Sequence, residues 1–349
     1  MAITFSLEHR VALYTSSDLK RWTHASDFAN KGIQGLQWEC PNLVEVPVEG
    51  STETMWVLTV SITAGASVNG GSTTQYFPGR FDGITFTAVD SLTRTIDFAD
   101  EAYAGQFFHG ISKGEKPLSM SFLGNALYAL STPSGPDEGW RTAMTTFRET
   151  TLQRLPLSNW ALVSRPFNIE SQFSRQLLSI PSIGNTGVTV DYSSVDSGAI
   201  WFEASITGSL SDAINGAINF DFTSSISGES ITGSTVVNGL TSISRANTRG
   251  LISPFFTKSF TTYSTYTAKG QWKISGLVDR TIDEVFVNNG VQNGNMVFFP
   301  TSPLDTMHLS GLFLSKGSTL SLSVWALKST WASQSNSDGV VLGNTSTVA

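Results

Sequence analysis

The sequence predicts an all-β protein built in two units, and three observations carry that prediction. Short β-prone runs recur along all 349 residues, separated by turn clusters rich in Gly, Pro, Asn and Ser. No segment shows convincing helical periodicity. Charged residues make up only 14% of the chain, against roughly 25% in an average soluble protein, so Ser, Thr, Asn and Gly must cover most of the surface. Hydrophobic content of 40% with 11% aromatics supplies sizeable cores. The length exceeds the usual range of about 100–200 residues for one domain, which argues for two.

Taken in order, residues 1–165 carry β runs such as Arg10–Ser16 (RVALYTS), Asn42–Val48 (NLVEVPV), Met55–Thr63 (MWVLTVSIT) and Ala126–Thr132 (ALYALST). Turn-formers such as SSDLKRW, YFPGRFDG and PSGPDEGW lie between them. Strands at this density fit a β-propeller or a sandwich, and no strong internal repeat decides between the two. Residues 166–187 read as a linker, with Ser171–Gly184 (SQFSRQLLSIPSIG) a short helical or irregular connector. Over 188–333 the strands resume with clear alternation, as in Ala199–Thr207 (AIWFEASIT) and Gly216–Ser225 (GAINFDFTSS), which predicts a β-sandwich. Residues 334–349 are small and polar and read as a flexible tail.

Several functions are excluded. The net charge of −7 comes without any Lys/Arg run, which disfavours nucleic acid and anionic membrane surfaces as partners. No apolar run approaches the roughly 20 residues of a membrane span. Cys40 is the only cysteine, so no intrachain disulfide forms. The start, MAITFSLEHR, reads as the middle of a strand and not as a signal peptide. The four histidines, His9, His24, His109 and His308, lack metal-ligand spacing, so neither a metal nor another cofactor is expected.

The chemistry concentrates in two places. In Gln37–Leu43 (QWECPNL), Glu39 sits between Trp38 and Cys40-Pro41. An isolated Glu is ordinarily a solvated strand end, but bulky apolar neighbours would desolvate this one and suit it to general acid work. In Thr95–Phe108 (TIDFADEAYAGQFF), Asp97, Asp100, Glu101, Tyr103 and Gln106 lie among aromatics. Groups that chelate vicinal hydroxyls beside aromatic faces are what a sugar pocket requires; a solvated loop is the alternative. Arg148 and Glu149, in Gly139–Leu152 (GWRTAMTTFRETTL), read as a structural ion pair.

Together these segments resemble glycoside hydrolase family 32, the invertases, inulinases, levanases and fructosyltransferases, its fungal members above all. QWECPNL resembles the family's W-E-C-P-D block, and TIDFADEAYAGQFF its D-F-x-x-D-x-Y-A-x-Q block. WRTAMTTFRETTL is similar to W-R-x-x-M-x-x-P-R-E-L, and Val278–Gly290 (VDRTIDEVFVNNG) to V-D-R-S-x-V-E-V-F-x-N-x-G. Val324–Trp331 (VWALKSTW) looks like the family's closing strand. The resemblance implies a five-bladed propeller followed by a β-sandwich, and a retaining reaction on β-fructofuranosyl linkages of sucrose, inulin or levan. It makes Glu39 the general acid/base and assigns Trp38, Asp97, Glu101, Tyr103 and Gln106 to a fructose-containing oligo- or polysaccharide. It also implies secretion.

The resemblance further implies a nucleophile Asp in an N-D-P-N-G block and a transition-state-stabilising Asp in an R-D-P block. Neither triplet occurs in the sequence, so no nucleophile is assigned. At roughly 40–50 residues per four-stranded blade, residues 1–165 make about three to four blades. Met1 is therefore expected inside a propeller strand, with the exposed blade edges open to self-association. Asn42, Glu101 and Phe147 depart from the family pattern and read as drift of the site. The expected chain is a family member inactive by itself. The alternatives are a non-catalytic carbohydrate-binding or interaction protein and a truncated gene model.

Overall fold

The computed structural model describes residues 1–65, 71–112, 114–156, 159–183, 187–208, 216–264 and 270–329. The tail at 334–349 and Trp331 of the closing strand lie outside the described residues. The described residues form an all-β fold whose sheets are antiparallel throughout, apart from isolated bridges.

The first half holds three sheets. β1 (Ala2–Phe5), β2 (Arg10–Thr15) and β3 (Thr23–Ala29) form one, and β4 (Gln37–Pro47), β5 (Thr54–Thr63), β6 (Thr73–Phe81) and β7 (Phe86–Ala88) form the next in sequential order. The third joins β8 (Ala102–Phe107), β9 (Leu118–Leu123), β10 (Ala143–Met144), β11 (Arg148–Arg154) and β12 (Trp160–Pro166) around β9. Val11, Leu13, Phe28, Trp38, Leu58 and Phe77 pack the first two sheets into one apolar cluster. The strand expected over Ala126–Thr132 is instead a turn followed by a 3-10 turn at Ala129–Ser131. There Asn125 accepts from the amide of Leu127 and ties the chain into a local turn in place of a ladder.

The second half holds two six-stranded sheets. Its strands are β13 (Phe173–Ile183), β14 (Val188–Asp191), β15 (Ala199–Thr207), β16 (Ala217–Thr223), β17 (Ser230–Val236) and β18 (Leu240–Asn247), followed by β19 (Ser259–Tyr263), β20 (Gln271–Asp279), β21 (Ile282–Val287), β22 (Gln292–Val297), β23 (Thr306–Leu312) and β24 (Thr319–Leu327). One sheet runs β13-β24-β15-β20-β21-β22 and the other β14-β23-β16-β17-β18-β19. Alternation decides the faces. In β24, Leu320, Leu322, Val324 and Ala326 point inward between half-buried Thr319, Ser321, Ser323 and Trp325, and they meet Ile218, Phe220 and Phe222 of β16 in one shared core.

The connector expected over 166–187 is largely a strand. Phe173–Ile183 pairs along β24 through three register shifts and makes one edge of its sheet. Sequence periodicity misses it because each shift resets the alternation of apolar residues.

Asp283 of β21 is buried within the second half, and its Oδ1 has no hydrogen-bond partner. Burial, aided by the neighbouring Glu284 charge, holds this carboxyl well above the usual range. Its neutral form contributes stability that is complete below the ordinary carboxylate value and is lost as pH rises through the elevated folded value. Asp283→Asn cannot ionise, so its urea midpoint should fall less than that of the parent between pH 5 and pH 9. Parallel curves for the two proteins would contradict this assignment.

Candidate active site

Glu39 stands on β4, where the register slips against β5. Glu39 faces Ser61, but Asn42 already faces Thr59. The intervening Cys40 adopts φ +47°, a left-handed conformation that a β-bulge provides for. Pro41, which has no N–H to offer the ladder, fits the same irregularity. The bulge leaves the Glu39 side chain half-buried. Its Oε1 accepts from Gln37 Nε2 at 2.6 Å and its Oε2 from the Thr63 hydroxyl. Thr63 Oγ1 also lies 2.5 Å from the Tyr103 hydroxyl. Two of the residues assigned from sequence, Glu39 and Tyr103, are thus brought together by a third that was not assigned.

Trp38 goes the other way. Successive side chains of a strand point to opposite faces, and Trp38 is fully buried against Phe28, with its indole N–H donating to the Ile33 carbonyl at 2.9 Å. It offers no face to a sugar and is a core residue. Asp97 and Glu101 are buried as well. Asp97 is buried and accepts from the amides of Ala99 (2.9 Å), Ala102 (3.3 Å) and Asn295 (3.0 Å), so it joins the start of β8 to β22. Burial raises its carboxyl to about 6, against the pull of those donors and of Arg148.

Glu101 has no exposed surface. Its Oε1 takes Arg245 Nη1 of β18 at 2.5 Å and the Tyr128 hydroxyl. Burial pushes it up to about 8, with Arg245 opposing and the Asp100 charge adding. Arg245 is itself buried, donates to the Val297 and Thr257 carbonyls at 2.6 and 2.7 Å, and lies 3.6 Å over the Phe256 ring. Gln106 is exposed near the end of β8, its Nε2 donating to the Gly105 carbonyl at 3.1 Å.

The remaining motif segments also fasten the two halves. Arg148 pairs with Glu284 of β21 at 2.5 Å, not with Glu149, which instead takes Lys116 at 2.7 Å. Asn288, Asn289 and Gly290 all have positive φ, as a tight turn between β21 and β22 demands. A Cβ on Gly290 would collide with the Ser164 carbonyl, so only glycine lets this turn abut β12. Trp140, Arg141 and Met144 line a cleft of about 410 Å³ at the same junction, facing Arg280 and Phe299.

Sequence reasoning missed Gln37, Thr63 and Arg245. Gln37 was findable, because i and i+2 share a strand face. Arg245 carried a signal too, as it occupies the inward phase of β18 after Thr241 and Ile243, where a charge requires partners. Thr63 lay hidden until the β4–β5 register was known.

Residues 1–166 match the model of the glycosyl hydrolases family 32 N-terminal domain. Over 311 residues the chain is 33% identical to an extracellular exo-inulinase of Meyerozyma guilliermondii, covering 86% of this chain and 59% of that protein. It is 31% identical over 317 residues to an invertase of Schizosaccharomyces pombe, covering 86% of this chain and 53% of that one. The solved structure of a fructofuranosidase from Schwanniomyces occidentalis, complexed with fructose, superposes with TM-score 0.79 at 25% identity, covering 92% of this chain and 66% of that chain. These likenesses define the class of its relatives, glycosidases, and an all-β scaffold shared with them. The chain belongs to glycoside hydrolase family 32, whose invertases and inulinases are hydrolases. It spans just over half the length of the two curated relatives.

Proposed function

We propose that this chain carries the acid/base half of a retaining site for β-fructofuranosyl linkages, and that by itself it binds fructosides without hydrolysing them. The observation that carries the reading is the half-exposed Glu39 carboxylate on the β4 bulge, held by Gln37 and by the Thr63–Tyr103 pair. In this role Glu39 protonates the leaving glycosidic oxygen, while Tyr103 and Gln106 line the fructose subsite. The three sheets of the first half are read as propeller blades and the two six-stranded sheets as a β-sandwich behind them.

A retaining glycosidase needs a second carboxylate about 5–5.5 Å from the first to form the glycosyl-enzyme intermediate. The sequence holds neither an N-D-P nor an R-D-P triplet. The carboxylates of Thr95–Phe108 are already engaged: Asp97 by backbone amides, and Asp100 and Glu101 by Arg245. Fructose-containing substrates and secretion are supported by relatives described as an extracellular exo-inulinase and an invertase, and by a neighbour complexed with fructose. No helix among the described residues is long and apolar enough to cross a membrane.

Calorimetry with sucrose and inulin, run beside a fructose-release assay, tests both parts. The expected result is saturable binding with no release above background. Release at an ordinary enzymatic rate, of the order of 1–10³ per second and abolished by Glu39→Gln, would overturn the claim of inactivity. An absence of saturable binding would overturn the fructoside reading.

A further inference from the structure

The β4 bulge has a counterpart. β8 slips against β9 between Tyr103 and Gln106, and Ala104 within that slip has φ +51°. The two irregular segments lie side by side although they belong to different sheets, and three polar rungs, two of them from β5, cross from the β4–β5 pair to β8. Thr63 reaches Tyr103 at one end. In the middle, Ser61 Oγ accepts from the Ala104 amide at 3.1 Å. At the other end is Asn42. Its Nδ2 donates to the Gly105 carbonyl at 2.9 Å, to Thr59 Oγ1 at 3.2 Å and to the Cys40 carbonyl at 3.3 Å, and its Oδ1 accepts from the Phe107 amide at 3.2 Å.

That neighbourhood fixes the orientation of the amide, with acceptors around the nitrogen and a donor at the oxygen. It also requires an amide. An ionised carboxylate at position 42 could take the Phe107 N–H, but it would set a negative oxygen against the Gly105 and Cys40 carbonyls. A hydrocarbon would leave backbone groups on both strands unpaired.

We propose that Asn42 is a positioning residue for Glu39: by bonding both bulges it fixes the β4 register that directs Glu39, and not Trp38, toward Thr63 and Tyr103. A one-residue slip in a strand exchanges its two faces, so this rung decides which side chain the site receives. The residue that reads from sequence as drift is the fitted one. The inference rests on Glu39 being the acid of the proposed function, but it can be tested without turnover.

The experiment compares the full chain with Asn42→Asp and Asn42→Ala. It reads the carboxyl NMR signal of Glu39, assigned by its disappearance in Glu39→Gln, the hydrogen exchange of the Phe107 amide, and fructose affinity. Asn42→Asp keeps the acceptor and loses the donors, so the Phe107 amide should stay protected while the Glu39 signal moves. Asn42→Ala loses both, so exchange at Phe107 should also speed by roughly tenfold or more. Fructose affinity should fall in both. A merely structural role would lower the melting temperature and leave the Glu39 signal in place. An unmoved Glu39 signal in folded Asn42→Asp overturns the proposal, and that variant suffices if Asn42→Ala does not fold. If the parent chain binds no fructose, the functional reading fails, while the Glu39 signal still decides the role of Asn42.

Discussion

Replacing Arg245 by Met is expected to lower the unfolding free energy at pH 8 and above, where Glu101 ionises beside it, by about 3–5 kcal/mol, the usual cost of removing one partner from a buried ion pair. Arg245, Glu101, Asp100 and Tyr128 are all buried, and the arginine is the cation shared by the two acids. Glu101 Oε2 and Asp100 Oδ1 have no hydrogen-bond partner even with Arg245 in place. Without it both acids must stay protonated, or else the junction between the halves must open.

The pH dependence has a definite sign. Glu101 is already raised to about 8 in the folded chain, from an ordinary value of 4.5. Stability due to its protonated form is complete below that lower value and lost as pH rises through about 8. Arg245→Met removes the charge that opposes the rise, so the variant should weaken more steeply than the parent between pH 5 and pH 9. Adding Glu101→Gln should restore part of the loss. Urea denaturation at several pH values reads all three proteins, and equal stability of Arg245→Met and the parent at pH 8 would show that the cluster does not hold the halves together.

Trp38→Ala is expected to cost about 3–5 kcal/mol, as truncation of a large buried aromatic does. Trp38 has no exposed surface and packs with Val11, Phe28, Leu58 and Phe77. A tryptophan that stacked on substrate would behave in the opposite way, losing sugar affinity at unchanged stability. Thermal unfolding and fructose calorimetry on the same variant separate the two roles. A melting temperature within a degree or two of the parent would return Trp38 to the binding site.

Much of the fold was legible because alternation is a local property. The strand Thr319–Leu327 buries every second residue up to Ala326, as its spelling implies, and Ala199–Thr207 does so from Phe202 onward. Failures came where a bulge or a turn resets the phase. Phe173–Ile183 reads as a connector for that reason, and Ala126–Thr132 reads as a strand although Asn125 curls it into a turn. The motif segments were visible as unusual, but unusual residues need not touch substrate. Asp97, Glu101, Arg148 and Glu284 are distinctive because burying charge between two units demands matched partners far apart in sequence.

By itself, the sequence determined the all-β class, the family resemblance and the candidacy of Glu39, because residue type and spacing carry these directly. Strand alternation even implied that Trp38 and Glu39 face opposite ways. Only the tertiary structure decided which face is the core, which carboxylates are buried, and that Asn42 bonds β8 while Thr63 and Tyr103 meet Glu39. The physical reason is that a side chain's role depends on its solvent exposure and on partners tens to more than a hundred residues away, and those are set by strand register and sheet packing.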